Sequence, residues 1–149
     1  MPQKESIKTL HILYPIFKEE VYRRRAAMAR ISRRGSLLFV SLSILILFNP
    51  ERLLFSPSLK SLVIIGIGLA TALLVTQIIQ EKRRHEKAKR QLITLEKGLG
   101  LFESGRYLPE ETLYPVEWQE SPGRDAGMIL SLVGVIGTGI VLSLIVLIL

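Results

Sequence analysis

The stretch SLVIIGIGLATALLVTQIIQEKRRHEKAKR, residues 61–90, decides the fold. Residues 61–80 carry no charge. As a helix they reach roughly 30 Å, the thickness of a bilayer's hydrocarbon core. Residues 81–90 then hold six Lys/Arg and two Glu. Helices on the surface of a soluble protein mix apolar and charged residues around their circumference. Here the two kinds are separated along the chain, which predicts a membrane-crossing helix with basic residues at one end.

Working outward, two more windows lack charge: Gly35–Pro50 and Ala126–Leu149. As helices they reach roughly 24 and 36 Å. The last is a convincing span. The first is short and needs help from its flanks, where Leu53, Leu54 and Phe55 are placed to dip back toward lipid. The expected fold is an all-α integral membrane protein with three transmembrane helices, a hairpin of spans 1 and 2 followed by span 3. A small cytoplasmic helical layer completes it. Its segments are a cytoplasmic basic amphipathic helix (1–34), span 1 with an outer interfacial turn (35–55), span 2 (58–80), a cytoplasmic helical extension (81–104), an interfacial connector (105–125) and span 3 (126–149). The first apolar block starts too deep in the chain for a cleaved leader and should remain in the mature protein.

The 149 residues are 48% hydrophobic and carry 20 Lys+Arg against 13 Asp+Glu. Residues 1–34 hold nine Lys/Arg and three Glu, whereas residues 81–125 hold nine of each sign. Lys and Arg close to span ends set orientation, and acids count for little. Both basic clusters are therefore expected on the cytoplasmic side of the cell membrane, with the 49–60 turn and the C-terminus outside. Arg23, Arg24, Arg25, Arg33, Arg34, Lys82, Arg83 and Arg84 are the expected contacts to anionic headgroups. Basic residues that hug spans are ordinarily topology signals, so nucleic acid is not an expected partner.

Local signals refine this layout. Pro15 suits a first helical position, with residues 1–6 loose before it. Phe17, Val21, Met28 and Ile31 share one face of the helix that follows. Gly35 is the only weak point where that helix could bend before span 1. Asn49 and Ser58 are expected helix caps. Beyond span 2, Ala88, Leu92, Leu95, Leu99 and Phe102 follow 4-3-4-3 spacing, a short coiled-coil-like seam. The N-terminal helix is its expected partner, with a second subunit as the alternative. Gly105 is read as the terminator of this helix, and Pro109-Glu110-Glu111 as the first turn of another.

Small residues mark the expected helix-packing faces, because they let backbones approach closely in lipid. On span 2 these are Gly66, Gly68, Ala70, Ala72 and Thr76; on span 3 they are Gly127, Ser131, Gly134 and Thr138. The connector carries Tyr107, Leu113, Tyr114 and Trp118, which together with Phe102 are expected to dock at the interface, on lipid or on a neighbouring subunit.

Catalytic chemistry finds little footing. There is no cysteine, and the two histidines, His11 and His85, lack a second ligand at helical spacing. No HExxH, GxSxG or P-loop is present. No catalytic residue, metal or cofactor is expected. The spans contain no ionisable residue with which to build an ion path or proton relay. The expected function is non-catalytic: a small membrane subunit, scaffold or assembly component acting by helix packing with itself or with other membrane proteins. The alternative is a self-oligomerising effector that perturbs or permeabilises the bilayer. A weaker one is a lipid-headgroup enzyme using Glu110, Glu111, Glu117 and Glu120.

Overall fold

Gly35 is the only glycine or proline between Ile16 and Phe48, and it does not break the helix. The computed structural model, which describes residues 2–48, 56–119 and 126–149 and side chains from residue 8 onward, has a single helix there, α1 (Pro2–Phe48). Pro15 lies inside α1 rather than at its start, and residues 2–6 are helical rather than loose. Having no amide hydrogen, Pro15 leaves the carbonyl of His11 without its helical donor. The expected cap at Asn49, the Leu53–Phe55 dip, Glu120 and the approach to span 3 lie outside the described residues.

Helix α2 (Pro57–Leu99) is capped two residues earlier than the sequence suggests. Ser56, not Ser58, is the cap: its hydroxyl accepts from the amide of Leu59, and its carbonyl from that of Lys60 at 2.9 Å. Pro57 then occupies the first helical position, where a missing amide hydrogen costs nothing. The helix stops at Leu99, not at Gly105. Gly100 adopts φ 71°, its amide donates to the carbonyl of Lys97 at 3.0 Å, and the amide of Leu101 reaches back to that of Glu96 at 3.1 Å. These two bonds satisfy the last carbonyls and need a residue tolerant of the left-handed region, which glycine is. No helix starts at Pro109; Glu110 itself sits at φ 65°, which a helix does not allow. A short 3-10 turn, Val116–Gln119, comes instead. Helix α3 is Ala126–Ile148. Among the described residues these three helices are long and apolar enough to cross a membrane.

The chain divides into two compact units, residues 1–26 with 82–125 and residues 27–81 with 126–149. In the first, α1 and α2 run antiparallel. Leu10 lies against Gly98, and the Nδ1 of His85 is 3.1 Å from the carbonyl oxygen of Val21. Ala88, Leu99, Leu101 and Phe102 are buried, with Leu92 and Leu95 half-buried beside them. The expected seam therefore exists within one chain and closes on the N-terminal helix.

In the second unit each helix contributes a stripe to one core: Phe39 and Ile46 from α1, Ile67 and Ile78 from α2, Val135, Leu142 and Val146 from α3. Buried α3 positions 135, 139, 142 and 146 repeat with 4-3-4 spacing, the spacing that keeps one face toward its neighbours. Several hydroxyls in this unit are satisfied within their own helix. Ser43 donates to the carbonyl of Phe39, Thr71 to Ile67 and Ser143 to Gly139, each at 2.8 or 2.9 Å. Such back-bonding removes the penalty of placing a hydroxyl in an apolar medium.

Candidate functional site

The packing faces come first, since they carry the sequence expectation. On α3 the small residues do meet neighbours. A side chain at Gly134 would approach the hydroxyls of Ser36 and Ser32 at 3.5 and 3.8 Å, and the Ser32 hydroxyl donates to the carbonyl of Ser131 at 3.0 Å. Thr138 is half-buried and Gly127 exposed. The tightest approach is at Gly139, beside the expected face rather than on it: a Cβ there would stand 2.6 Å from the Thr71 hydroxyl and 3.5 Å from the Phe39 ring.

On α2 the expected face is not the one packed within the chain. Ile67, Thr71, Leu74 and Ile78 turn toward the other helices, one residue and so about 100° from Gly68, Ala72 and Thr76. Gly66, Gly68, Ala72 and Thr76 are exposed, and nothing stands within 4 Å of a Cβ placed at either glycine. Ala70 is half-buried against the core.

The basic residues sort by partner. Glu20 is held by both Arg23 and Arg24, the latter at 2.7 Å, and these two arginines lower its carboxyl below the usual range. Lys82 pairs with Glu86 at 3.5 Å. Arg33, Arg34, Arg83 and Arg84 are exposed. Among the described residues Arg25, Lys18 and Lys89 have no ion-pair partner.

The connector docks on its own chain. Phe102, expected at the interface, is only 8% exposed and belongs to the core of the first unit. Tyr114 stacks edge-on against it with ring centres 6.0 Å apart and bonds its hydroxyl to that of Tyr14 at 2.7 Å. Burial, and then this bond, push the Tyr14 phenol far above its ordinary value. The Tyr107 hydroxyl donates to the carbonyl of Leu99 at 2.8 Å. Leu113 and Trp118 remain outward, Trp118 at 58% exposure, with the indole 5.6 Å from the Tyr114 ring. The acids Glu110, Glu111 and Glu117 are exposed. Among the described residues no group of three or more His, Asp or Glu is placed to hold a metal ion.

These pieces meet in one open cleft of about 740 Å³ in the first unit. Its walls carry Lys18 and Arg25 from α1, Lys89 and Glu96 from α2, and Tyr114 and Trp118 from the connector. Of the residues singled out in the sequence, the cleft gathers Val21, Arg25, Leu92, Tyr114 and Trp118; Lys18, Lys89 and Glu96 were not foreseen. Lys18 and Arg25 are seven residues apart, as are Lys89 and Glu96, so each pair repeats on one helix face. That signal was available in the sequence once the antiparallel pairing is known.

Glu96 is the unusual group. It is 9% exposed, and burial raises its carboxyl above the ordinary range, opposed by the charge of Lys18. A carboxyl raised by folding stabilises the folded state fully at low pH, and that contribution is lost as pH climbs through the raised value. Thermal stability of the full chain is therefore expected to decline from the ordinary carboxylate range toward alkaline pH. Glu96→Gln is expected to flatten that decline by removing the titrating carboxyl. A Gln variant whose melting profile tracks the wild type across pH 4–8 would count against this.

No protein-family model, curated protein or solved structure matches the chain.

Proposed function

We propose that the chain is a multi-pass membrane protein that acts without catalysis, as a small subunit, scaffold or assembly component. The N-terminus and the basic extension of α2 face the cytoplasm, and the C-terminus lies outside. What carries this reading is the outer surface of the second unit. Leu62, Leu69, Leu73, Leu130 and Val133 are all more than 60% exposed there. Water-soluble monomers rarely carry so broad an apolar surface, whereas lipid is its natural solvent. Within that surface the open line Gly66, Gly68, Ala72 and Thr76 is the place where another membrane helix can approach α2 closely. Arg33 and Arg34 precede the apolar part of α1, and Arg83 and Arg84 follow that of α2, so their side chains would reach anionic headgroups.

Purification in gentle detergent followed by native mass analysis tests the reading. Unrelated subunits are expected to travel with the chain, and Gly68→Leu with Ala72→Leu to lose them while the helix content is unchanged. A chain that travels alone, or only with copies of itself, would overturn the subunit reading. The second result would favour the self-assembling effector.

A further inference from the structure

The cleft of the first unit carries a ligand assignment separate from the packing surface on α2. Three cations face it without an ion-pair partner among the described residues, while nearby Arg23, Arg24 and Lys82 are each held by a glutamate. Positive groups gathered in a concave, partly dry site concentrate potential and select an anion. The only acid among the residues that line it is Glu96, whose carboxyl burial raises and the charge of Lys18 lowers.

The basic cluster is short. Lys18 and Arg25 are separated by two helical turns, roughly 10 Å along α1, and Lys89 faces the same space. A nucleic-acid strand needs a basic track that follows successive phosphates; this cluster ends after one. Val21, Leu92 and Ile93 give it an apolar lining, and Tyr14, Tyr22, Tyr114 and Trp118 line it as well. Aromatic residues with a polar tip suit a boundary between an apolar body and water. The volume lies in the range of small-molecule sites, about 300–1,000 Å³. Three cations that include an arginine fit a doubly charged phosphate better than a single carboxylate.

We infer that this cleft binds the phosphate monoester head and adjoining chain of a lipid, with Lys18, Arg25 and Lys89 holding the phosphate and Val21, Leu92 and Ile93 the chain. Trp118, the sole tryptophan, lines the cleft and reports occupancy.

The test uses the full chain in phosphatidylcholine nanodiscs, and in amphipol for ligands added from solution. Short-chain phosphatidic acid, added as monomers in amphipol, is expected to shift Trp118 emission to the blue with saturation. Phosphatidic acid placed in the nanodisc should do the same. Lys18→Gln with Lys89→Gln is expected to weaken the response at least about tenfold, the loss of one or two charge-assisted contacts. Arg25→Gln provides a second variant if that pair alters helix content. Four results would overturn the assignment: no shift; an equal shift with phosphatidylglycerol, which means diffuse surface attraction; an equal shift with inorganic phosphate, which means an anion pocket indifferent to lipid; or displacement of the short-chain lipid by an acidic peptide at the same concentration, which means a protein partner. The amphipol arm needs no bilayer, so its outcome is separate from the membrane reading above.

Discussion

Gly139→Leu is expected to disrupt the three-helix core of residues 27–81 and 126–149. A first carbon added at position 139 already stands 2.6 Å from the Thr71 hydroxyl and 3.5 Å from Phe39. Neither neighbour yields readily. Thr71 is fixed by its bond to the carbonyl of Ile67 at 2.8 Å, and Phe39 is fully buried in the same core. Three further carbons can enter only if α3 moves off α1 and α2, which would uncover Val135, Leu142 and Val146 together. Overpacking of a filled core costs about 1–3 kcal/mol where side chains relax, and more where a backbone must shift. Gly137→Ala is the control, since nothing stands within 4 Å of its Cβ position. Thermal denaturation in a mild detergent is the measurement: Gly139→Leu should melt far below wild type or fail to accumulate, and Gly137→Ala should melt with it. A Gly139→Leu protein as stable as the alanine control would show that this helix contact is not what holds the unit together.

The contrast between these two glycines shows what the sequence reveals and what it hides. Charge-free windows and their basic flanks are one-dimensional facts, and the three long helices follow from them directly. The face that each helix turns inward does not. In an apolar span every face is apolar, so periodicity has no contrast to work with, and small residues are the only remaining cue. On α3 that cue falls one position from the buried Gly139. On α2 it points to Gly68 and Ala72, while Ile67, Thr71, Leu74 and Ile78 pack. The physical reason is that one small residue per crossing suffices: Gly139 supplies the room for Thr71, and Gly35, whose Cβ would stand 2.7 Å from Leu74, supplies the room for that leucine. The first unit is more legible because polar and apolar residues alternate there, and the seam residues from Ala88 to Phe102 are all buried or half-buried, though Phe102 lies past the end of the helix. Its terminator is less so. Gly98, Gly100 and Gly105 compete in the sequence, and it is Gly100, at φ 71° directly after Leu99, that ends the helix. The cleft was least legible, because Lys18 and Lys89 belong to helices far apart in sequence and become one site only through antiparallel pairing.

Phe102→Ala is expected to release the connector from the first unit. Phe102 is the buried end of a short chain of contacts. It holds the Tyr114 ring edge-on, and Tyr114 in turn bonds Tyr14 through its hydroxyl and lies beside Trp118. The backbone follows the same path, since the amide of Tyr114 donates to the carbonyl of Leu101 at 3.1 Å. Between these anchors residues 103–113 are largely exposed, tied by the Glu103 amide to the carbonyl of Gly100, the Gly105 amide to that of Glu111 and the Tyr107 hydroxyl to that of Leu99. Truncating a buried phenylalanine costs about 3–5 kcal/mol. Here that cost falls on a local opening rather than on the helices, because α2 already ends at Leu99 with its carbonyls satisfied. Arg106, exposed within the loop and paired with Glu103 at 2.7 Å, provides a tryptic site whose cleavage reports the opening. When opening and closing are fast, cleavage follows the population of the open form. Tryptic cleavage after Arg106, followed by mass analysis, should therefore accelerate at least about a hundredfold in Phe102→Ala, the smallest change consistent with a cost of that size. Leu113→Ala, at an exposed position of the same loop, should leave the rate near wild type, as surface substitutions ordinarily do. Equal rates for Phe102→Ala and wild type would mean that the backbone bonds of the loop and the Tyr107 bond to Leu99 hold it without the aromatic chain.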